Sequence, residues 1–245
     1  MKPQDVTAVV LTRNEERNLS RALDSLPAGM PLLIVDEHST DGTRALALAR
    51  GARVIERDWT GFVAARRFAL TQVRTPWMFA LDADEALDER LRDAIAGAPE
   101  NVDGYALCRD TYFCGKRMRI WRGERLLRLL RVDGARVEAH PAAGGTAELH
   151  ERYECAGKVG RLPGRLLHFS YPDPGSYRAK YEAYTEIEAG GLQRARIRGP
   201  LGPLLRFVYL LFVRGALWDG WRGWYVAWHS ANYTRAVERK VAQRS

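Results

Sequence analysis

The segment Trp77-Met78-Phe79-Ala80-Leu81-Asp82-Ala83-Asp84-Glu85 is an apolar run that ends in three carboxylates within four residues. A run of that length reads as a buried strand, and acids at its carboxyl end project into the crevice where open α/β sheets bind ligands. Two aspartates one residue apart suit a hard divalent cation, Mg2+ or Mn2+, whose other positions stay available to substrate phosphate oxygens. Taken alone, the segment reads equally well as a strand running into a solvated acidic turn, because an Asp-x-Asp match is short.

The sequence before it repeats the same grammar three times. Val6 to Leu11 is a β-rich apolar run, after which Leu19, Ala22, Leu23 and Leu26 recur at helical spacing. Leu32 to Val35 is a second short strand, and the cap-rich stretch Asp36 to Thr43 precedes a helix over Arg44 to Arg50. Arg53 to Glu56 gives a third strand. Phe62, Ala65, Ala69 and Val73 mark the face of a third helix, which Pro76 stops before the strand ending at Asp82. The order βαβαβαβ predicts an α/β fold, a mostly parallel sheet with helices on both faces. A further helix is expected from Asp88 to Ala98 and a strand from Gly104 to Arg109. Residues 110–175 show neither a 3.6 nor a 2 period and are expected to form a loop-rich subdomain shaping a second substrate. Tyr177 to Gly190 reads as a helix, Gly199 to Pro203 as a break, and a separate C-terminal module follows.

Composition narrows the class. Hydrophobic residues make up 46% of the 245, enough for a folded core, and the three cysteines form no Cys-x-x-Cys pair, so neither a zinc cage nor a disulfide framework is indicated. Met1 to Gln4 lead into the first strand without the apolar region of a signal peptide, so a cytoplasmic location is expected. The net charge of +8 is concentrated: from Arg194 to Ser245 there are ten Lys/Arg and two Asp/Glu, leaving residues 1–193 neutral. The same segment holds four of the seven tryptophans. Basic and aromatic residues interleaved in this way fit an anionic membrane surface better than single-stranded nucleic acid.

Each early strand ends in its own polar loop. Leu11-Thr12-Arg13-Asn14-Glu15-Glu16 opens a helix, where exposed amides suit a nucleotide or phosphate; the plain alternative is an N-cap with Asn14 capping. It lacks the glycines of G-x-G-x-x-G, which argues against a dinucleotide-dependent oxidoreductase. Asp36, directly after the second strand, reads either as a ribose or base contact or as a turn residue. In combination, Leu-Thr-Arg-Asn-Glu, Val-Asp-x-x-Ser-Thr-Asp-Gly-Thr and Leu-Asp-Ala-Asp-Glu, in this order, resemble the N-terminal half of family 2 inverting glycosyltransferases with the GT-A fold. The resemblance covers roughly the first 110 residues. Tyr112-Phe113-Cys114-Gly115-Lys116, Arg125 to Arg131, Leu149-His150-Glu151 and Leu167-His168-Phe169-Ser170-Tyr171 are similar to motifs of the lipopolysaccharide-core β-glucosyltransferase subgroup.

The resemblance implies roles for particular residues. Thr12, Arg13, Asn14, Glu15 and Asp36 would contact the nucleoside of a nucleotide sugar, with Arg66, Asp82 and Ala83 completing the donor site. Asp84, with Asp82, would hold the metal on the diphosphate; His168, at what reads as a strand end, is a further metal or diphosphate ligand or, more readily, a satisfied core histidine. In Ala65-Arg66-Arg67 the second Arg stands where the family has Asn, and His38 replaces a small residue. Inversion requires one carboxylate to deprotonate the acceptor hydroxyl. Glu151, beside His150 in the acceptor half, is the candidate base, and Glu85 ranks behind it. The implied activity is transfer of a hexose, glucose in the subgroup, from a UDP-sugar to a glycolipid. A polyprenyl-phosphate acceptor would use the same donor site, and a silent binding module on this scaffold would not need its carboxylates.

Residues 1–110 are thus expected to bind the donor, 111–198 the acceptor, and 199–245 to form a basic, amphipathic helical extension. Phe207 to Val213 is uninterrupted apolar sequence but falls short of the ~20 residues that span a bilayer. Arg206 and Arg214 lie about 80° apart on a helical wheel. Trp218, Trp221, Tyr225 and Trp228 are expected to form a second aromatic stripe at an anionic membrane, with helix packing on the catalytic domain or in a dimer as the alternative.

Overall fold

The computed structural model describes residues 1–139, 151–192 and 201–244, with Glu151 described through its backbone. The first half alternates strand and helix as its periodicity predicts: β1 (Val6–Thr12), α1 (Glu16–Asp24), β2 (Leu32–Asp36), α2 (Thr43–Ala49), β3 (Arg53–Glu56), α3 (Phe62–Gln72) and β4 (Trp77–Asp82). There follow β5 (Glu85–Leu87), α4 (Glu89–Ala96), β6 (Gly104–Phe113), β7 (Lys116–Arg117), β8 (Glu124–Arg131), β9 (Arg136–Ala139), β10 (Glu151–Glu154), β11 (Val159–Arg161) and β12 (Leu166–Tyr171). Three helices close the chain: α5 (Pro174–Gly190), α6 (Leu201–Phe212) and α7 (Trp221–Arg244).

The main sheet runs β3-β2-β1-β4-β8-β6-β12-β5. β3, β2, β1 and β4 are parallel, whereas β8 is antiparallel to both β4 and β6. The parallel strands alternate between two cores. Val6, Ala8, Val10, Phe79 and Leu81 pack with Leu19, Ala22 and Leu23 of α1 and Leu91 and Ile95 of α4. Val9, Met78 and Ala80 point to the other face, against Ala69 of α3 and Val137 and Tyr153 of the β9–β10 hairpin. This is the two-sided burial expected of parallel strands. Asp88 caps α4 by accepting from the Leu91 amide at 2.8 Å.

The expectation of a loop-rich stretch over 110–175 is corrected. Its described part is largely strand, but an eight-residue strand such as Glu-Arg-Leu-Leu-Arg-Leu-Leu-Arg carries arginines inward and outward and so shows no period of two. Phe62 is also not a core position. It is exposed and packs edge-on against Trp59, with ring centroids 4.6 Å apart.

The described residues form two compact units: 1–109, 124–139 and 151–168 in the first, and 110–123, 169–192 and 201–244 in the second. In the second unit Phe113, Tyr177, Leu210, Leu211, Val226 and Ala227 share a core. The buried Asp219 carboxylate accepts from the amides of Arg119 and Ile120 at 2.8 and 3.2 Å. Gly223 is required where α7 begins, because a Cβ there would lie 1.8 Å from the Ala216 carbonyl oxygen. Of the expected break, Leu201 to Pro203 are instead the first turn of α6, where proline is tolerated, and 199–200 lie outside the described residues. No helix among the described residues is long and apolar enough to cross a membrane.

Candidate active site

Three parallel strands deliver their ends to one edge of the sheet. Thr12 lies opposite Asp36 in the β1–β2 register, and Leu11 opposite Asp82 in the β1–β4 register. The loops that leave β1 and β2 are tied to each other. The fully buried Asp36 carboxylate accepts from Thr12 Oγ1 at 2.7 Å, Ser39 Oγ at 2.6 Å and the Ser39 amide at 2.8 Å. Asn14, at φ 54°, donates its amide to Ser39 Oγ and accepts from the Thr40 amide, both at 2.8 Å.

Asn14 is therefore not the helix cap; Glu15 stands at that position and its side chain does not cap. The expected exposed amides at the start of α1 are not exposed to a ligand either. Glu15 N donates to Thr43 Oγ1 at 2.8 Å and Glu16 N to Asp41 at 3.2 Å, so the second loop satisfies the first helix. Arg13 pairs with Glu37 across the two loops at 2.6 Å, and Glu15 accepts from Asn18 at 2.9 Å. His38, at φ 47°, projects from the loop and bonds Asp58 at 2.8 Å, and that bond holds its imidazole pKa above the ordinary value.

The carboxylates of the Asp82–Glu85 run divide between two environments. Asp82 accepts from Arg66 at 2.9 Å through one oxygen and from Arg128 at 2.6 Å through the other. Glu85 is fully buried, accepts from the Asp82 amide at 3.0 Å, and pairs with Arg128 and Arg109, each at 3.4 Å. Arg109 in turn forks onto both oxygens of Glu124 at 2.9 Å. Three arginines thus meet three acids. Burial works against ionising Asp82, but the charges of Arg128 and Arg66 prevail and hold its carboxyl well below the usual range. For Glu85 burial prevails over Arg128, and its carboxyl is raised, with Asp82 adding repulsion.

Asp84 faces another way, with Oδ2 3.3 Å from Nε2 of His168. Ala83 is buried in the turn between β4 and β5. Cis ligands of an octahedral cation at ~2.1 Å lie roughly 3 Å from one another, so an aspartate oxygen and an imidazole nitrogen at this separation fit two adjacent positions. No group of three protein donors that could hold a metal occurs among the described residues. Asp82 carries a guanidinium on each oxygen, so in this arrangement the protein itself answers its charge.

Glu151 opens β10, where its backbone faces Ala139, and His150 lies outside the described residues. Arg66 also reaches the Tyr153 hydroxyl at 3.4 Å, and Arg67, in place of the expected Asn, donates to the Val137 carbonyl at 2.8 Å. Arg128, Arg109 and Glu124 are buried or half-buried partners of the acidic run that residue spacing did not single out; the one available signal was charge repeated within an otherwise apolar strand.

A mixed sheet whose parallel half carries polar loops at its carboxyl edge, with an Asp-x-Asp turn after the fourth strand, fits the GT-A fold. Residues 7–149 match the family described as Glycosyl transferase family 2, and the chain belongs to that family. It is 30% identical over 256 residues to the lipopolysaccharide core biosynthesis glycosyltransferase LpsC of Rhizobium meliloti, covering 98% of this chain and 92% of that one. It is also 35% identical over 103 residues to an uncharacterized glycosyltransferase of Rickettsia bellii, covering 41% of this chain and 35% of that protein. Among solved structures, the mannosyltransferase PcManGT from Pyrobaculum calidifontis, in complex with GDP-Man and Mn2+, shares the fold with a TM-score of 0.52 at 16% identity, covering 100% of this chain and 89% of that one.

Proposed function

We propose that this glycosyltransferase moves a hexose, glucose by preference, from a UDP-sugar to a glycolipid of the lipopolysaccharide-core type, with inversion and with a divalent cation. The acceptor reading is supported by the similarity to LpsC along nearly the whole chain. The pairing of Asp84 with His168 at the end of β4 carries the metal reading, and the mannosyltransferase that shares the fold is in complex with Mn2+. A lipid acceptor puts the reaction at a membrane surface, here the cytoplasmic face.

In this reading Asp84 and His168 hold the cation, and Asp82 serves the donor site as a fixed anion that orients Arg66 and Arg128. The loop held by Thr12, Asn14 and Asp36, with Arg13 and Glu15 beside it, takes the nucleoside. When bound, the cation neutralises charge developing on the departing diphosphate. Glu151 removes the proton from the acceptor hydroxyl that attacks the sugar carbon from the opposite side.

Incubation with a panel of nucleotide sugars, following nucleotide release with and without Mn2+, tests the donor and metal assignments together. Release from a UDP-hexose that stops on chelation is the expected result. Equal release with chelator would remove the cation from the mechanism.

A further inference from the structure

Of the 17 exposed large apolar side chains among the described residues, 12 fall between Leu201 and Trp228. They are ordered within α6: Leu201, Leu204, Leu205, Val208 and Phe212 recur at i, i+3, i+4, i+7 and i+11, a stripe roughly 100° wide at 3.6 residues per turn. Leu201 and Phe212 are each 65% exposed, Leu205 60% and Leu204 58%. The opposite side is occupied, since Leu210 and Leu211 are buried and Phe207 packs on Trp224 and Trp228 with ring centroids 5.4 and 6.0 Å apart. A helix apolar on both its packed and its outward faces needs a second apolar surface.

The charges around it are one-sided. Between Leu201 and Arg244 the sequence has seven Lys/Arg and two acids, and both acids, Asp219 and Glu238, are buried. Exposed formal charge on this stretch is therefore cationic, with Lys240 and Arg244 answered by Glu182 and Glu186 of α5, and Arg206 and Arg214 paired with no acid among the described residues. A two-fold contact between copies would set such a patch against itself, with Arg206 facing like charge and no exposed acid in the stretch to answer it. An anionic bilayer supplies both hydrocarbon for the stripe and negative headgroups for the rim. Trp218, Trp221 and Trp224 are also exposed, and tryptophan is a side chain favoured at that boundary. A cavity of about 380 Å³ between α6 and α7, lined by Leu201, Leu204, Phe207, Trp228 and Arg235, has the apolar wall and cationic edge of a lipid seat.

We infer that α6 lies in the plane of an anionic membrane interface, with Leu201, Leu204, Leu205, Val208 and Phe212 among the acyl chains. At 12 residues it is too short to span. This names the membrane contact that the glycolipid reading requires, while nucleotide release reports the transfer site separately.

The full chain is floated with phosphatidylcholine vesicles that carry about one-third phosphatidylglycerol, and with phosphatidylcholine alone. Wild type should float with the anionic vesicles and be released by salt. The Leu204→Ser/Leu205→Ser/Phe212→Ser variant should bind at least roughly ten-fold more weakly while keeping its thermal midpoint and its nucleotide release. Arg206→Glu should weaken binding to anionic vesicles alone. Wild type that ignores anionic vesicles, or a triple variant that binds them as wild type does, would overturn the assignment. So would a vesicle-indifferent dimer that the triple substitution converts to monomer, which would make the occupant a second copy.

Discussion

Arg128 on β8 and Asp82 at the end of β4 meet at 2.6 Å, with the arginine side chain 7% and the aspartate side chain 28% exposed. Asp82 is thereby neutralised by the protein, while Asp84, two residues on, lies against His168.

Arg128→Met leaves Asp82 with Arg66 and strips Glu85 of a cation. Breaking a buried pair of this kind costs about 3–5 kcal/mol, so urea unfolding should show a loss of that order. The Asp82→Asn/Arg128→Met double variant should recover part of it, and simple additivity of the two losses would mean that the residues do not act as a pair.

Asp84→Ala should lower transfer on the order of a thousand-fold, the scale of the several kcal/mol that a bound cation supplies, and abolish the Mn2+-dependent thermal shift expected of wild type with UDP. Asp82→Asn should retain that Mn2+ shift. If it is lost in both variants, both aspartates are ligands.

Glu151→Gln should preserve UDP binding and lower turnover by roughly 10²–10⁴-fold, the range for loss of a general base. Near-normal turnover would move the base to another carboxylate, though not to Glu85, which is fully buried and held by Arg128 and Arg109 away from any acceptor.

The pH dependence has two opposed parts. Asp82 has a depressed folded pKa, so its stabilisation is present above the ordinary carboxylate value and lost as pH falls through the folded value. Glu85 has a raised one, so the folded state holds its proton longer and stability falls as pH rises from the ordinary value through the folded value. Wild-type stability relative to Glu85→Gln should therefore decline with rising pH across the window above ~4.3. A flat difference in denaturant titrations over that window would contradict the raised Glu85 pKa.

The N-terminal half is legible because β1, β2 and β4 are buried on both faces and read as apolar runs that stop at Thr12, Asp36 and Asp82. Arg66 was found through the family motif around it. Arg128 was not singled out, since an arginine inside an antiparallel strand has no local signature; its role comes from β8 lying beside β4, a pairing of residues about fifty positions apart. Tyr225 was misread for a similar reason. Spacing put it on the tryptophan stripe, but it stacks on Phe113 with ring centroids 5.7 Å apart, inside the second unit's core, and the exposed position belongs to Trp224.

The hydrogen bonds that join the loops after β1 and β2 also bear on how donor affinity is built. Side chains of Ser39, Asp41 and Thr43 receive amides of Asn14, Glu15 and Glu16, while Asn14 and Glu16 receive amides of Thr40 and Gly42. Such reciprocal wiring makes the two loops preorganised, so in their proposed role of taking the nucleoside they would spend little ordering entropy. It also makes the two loops one energetic unit, in which Asn14→Ala and Ser39→Ala should each cost most of what the double substitution costs.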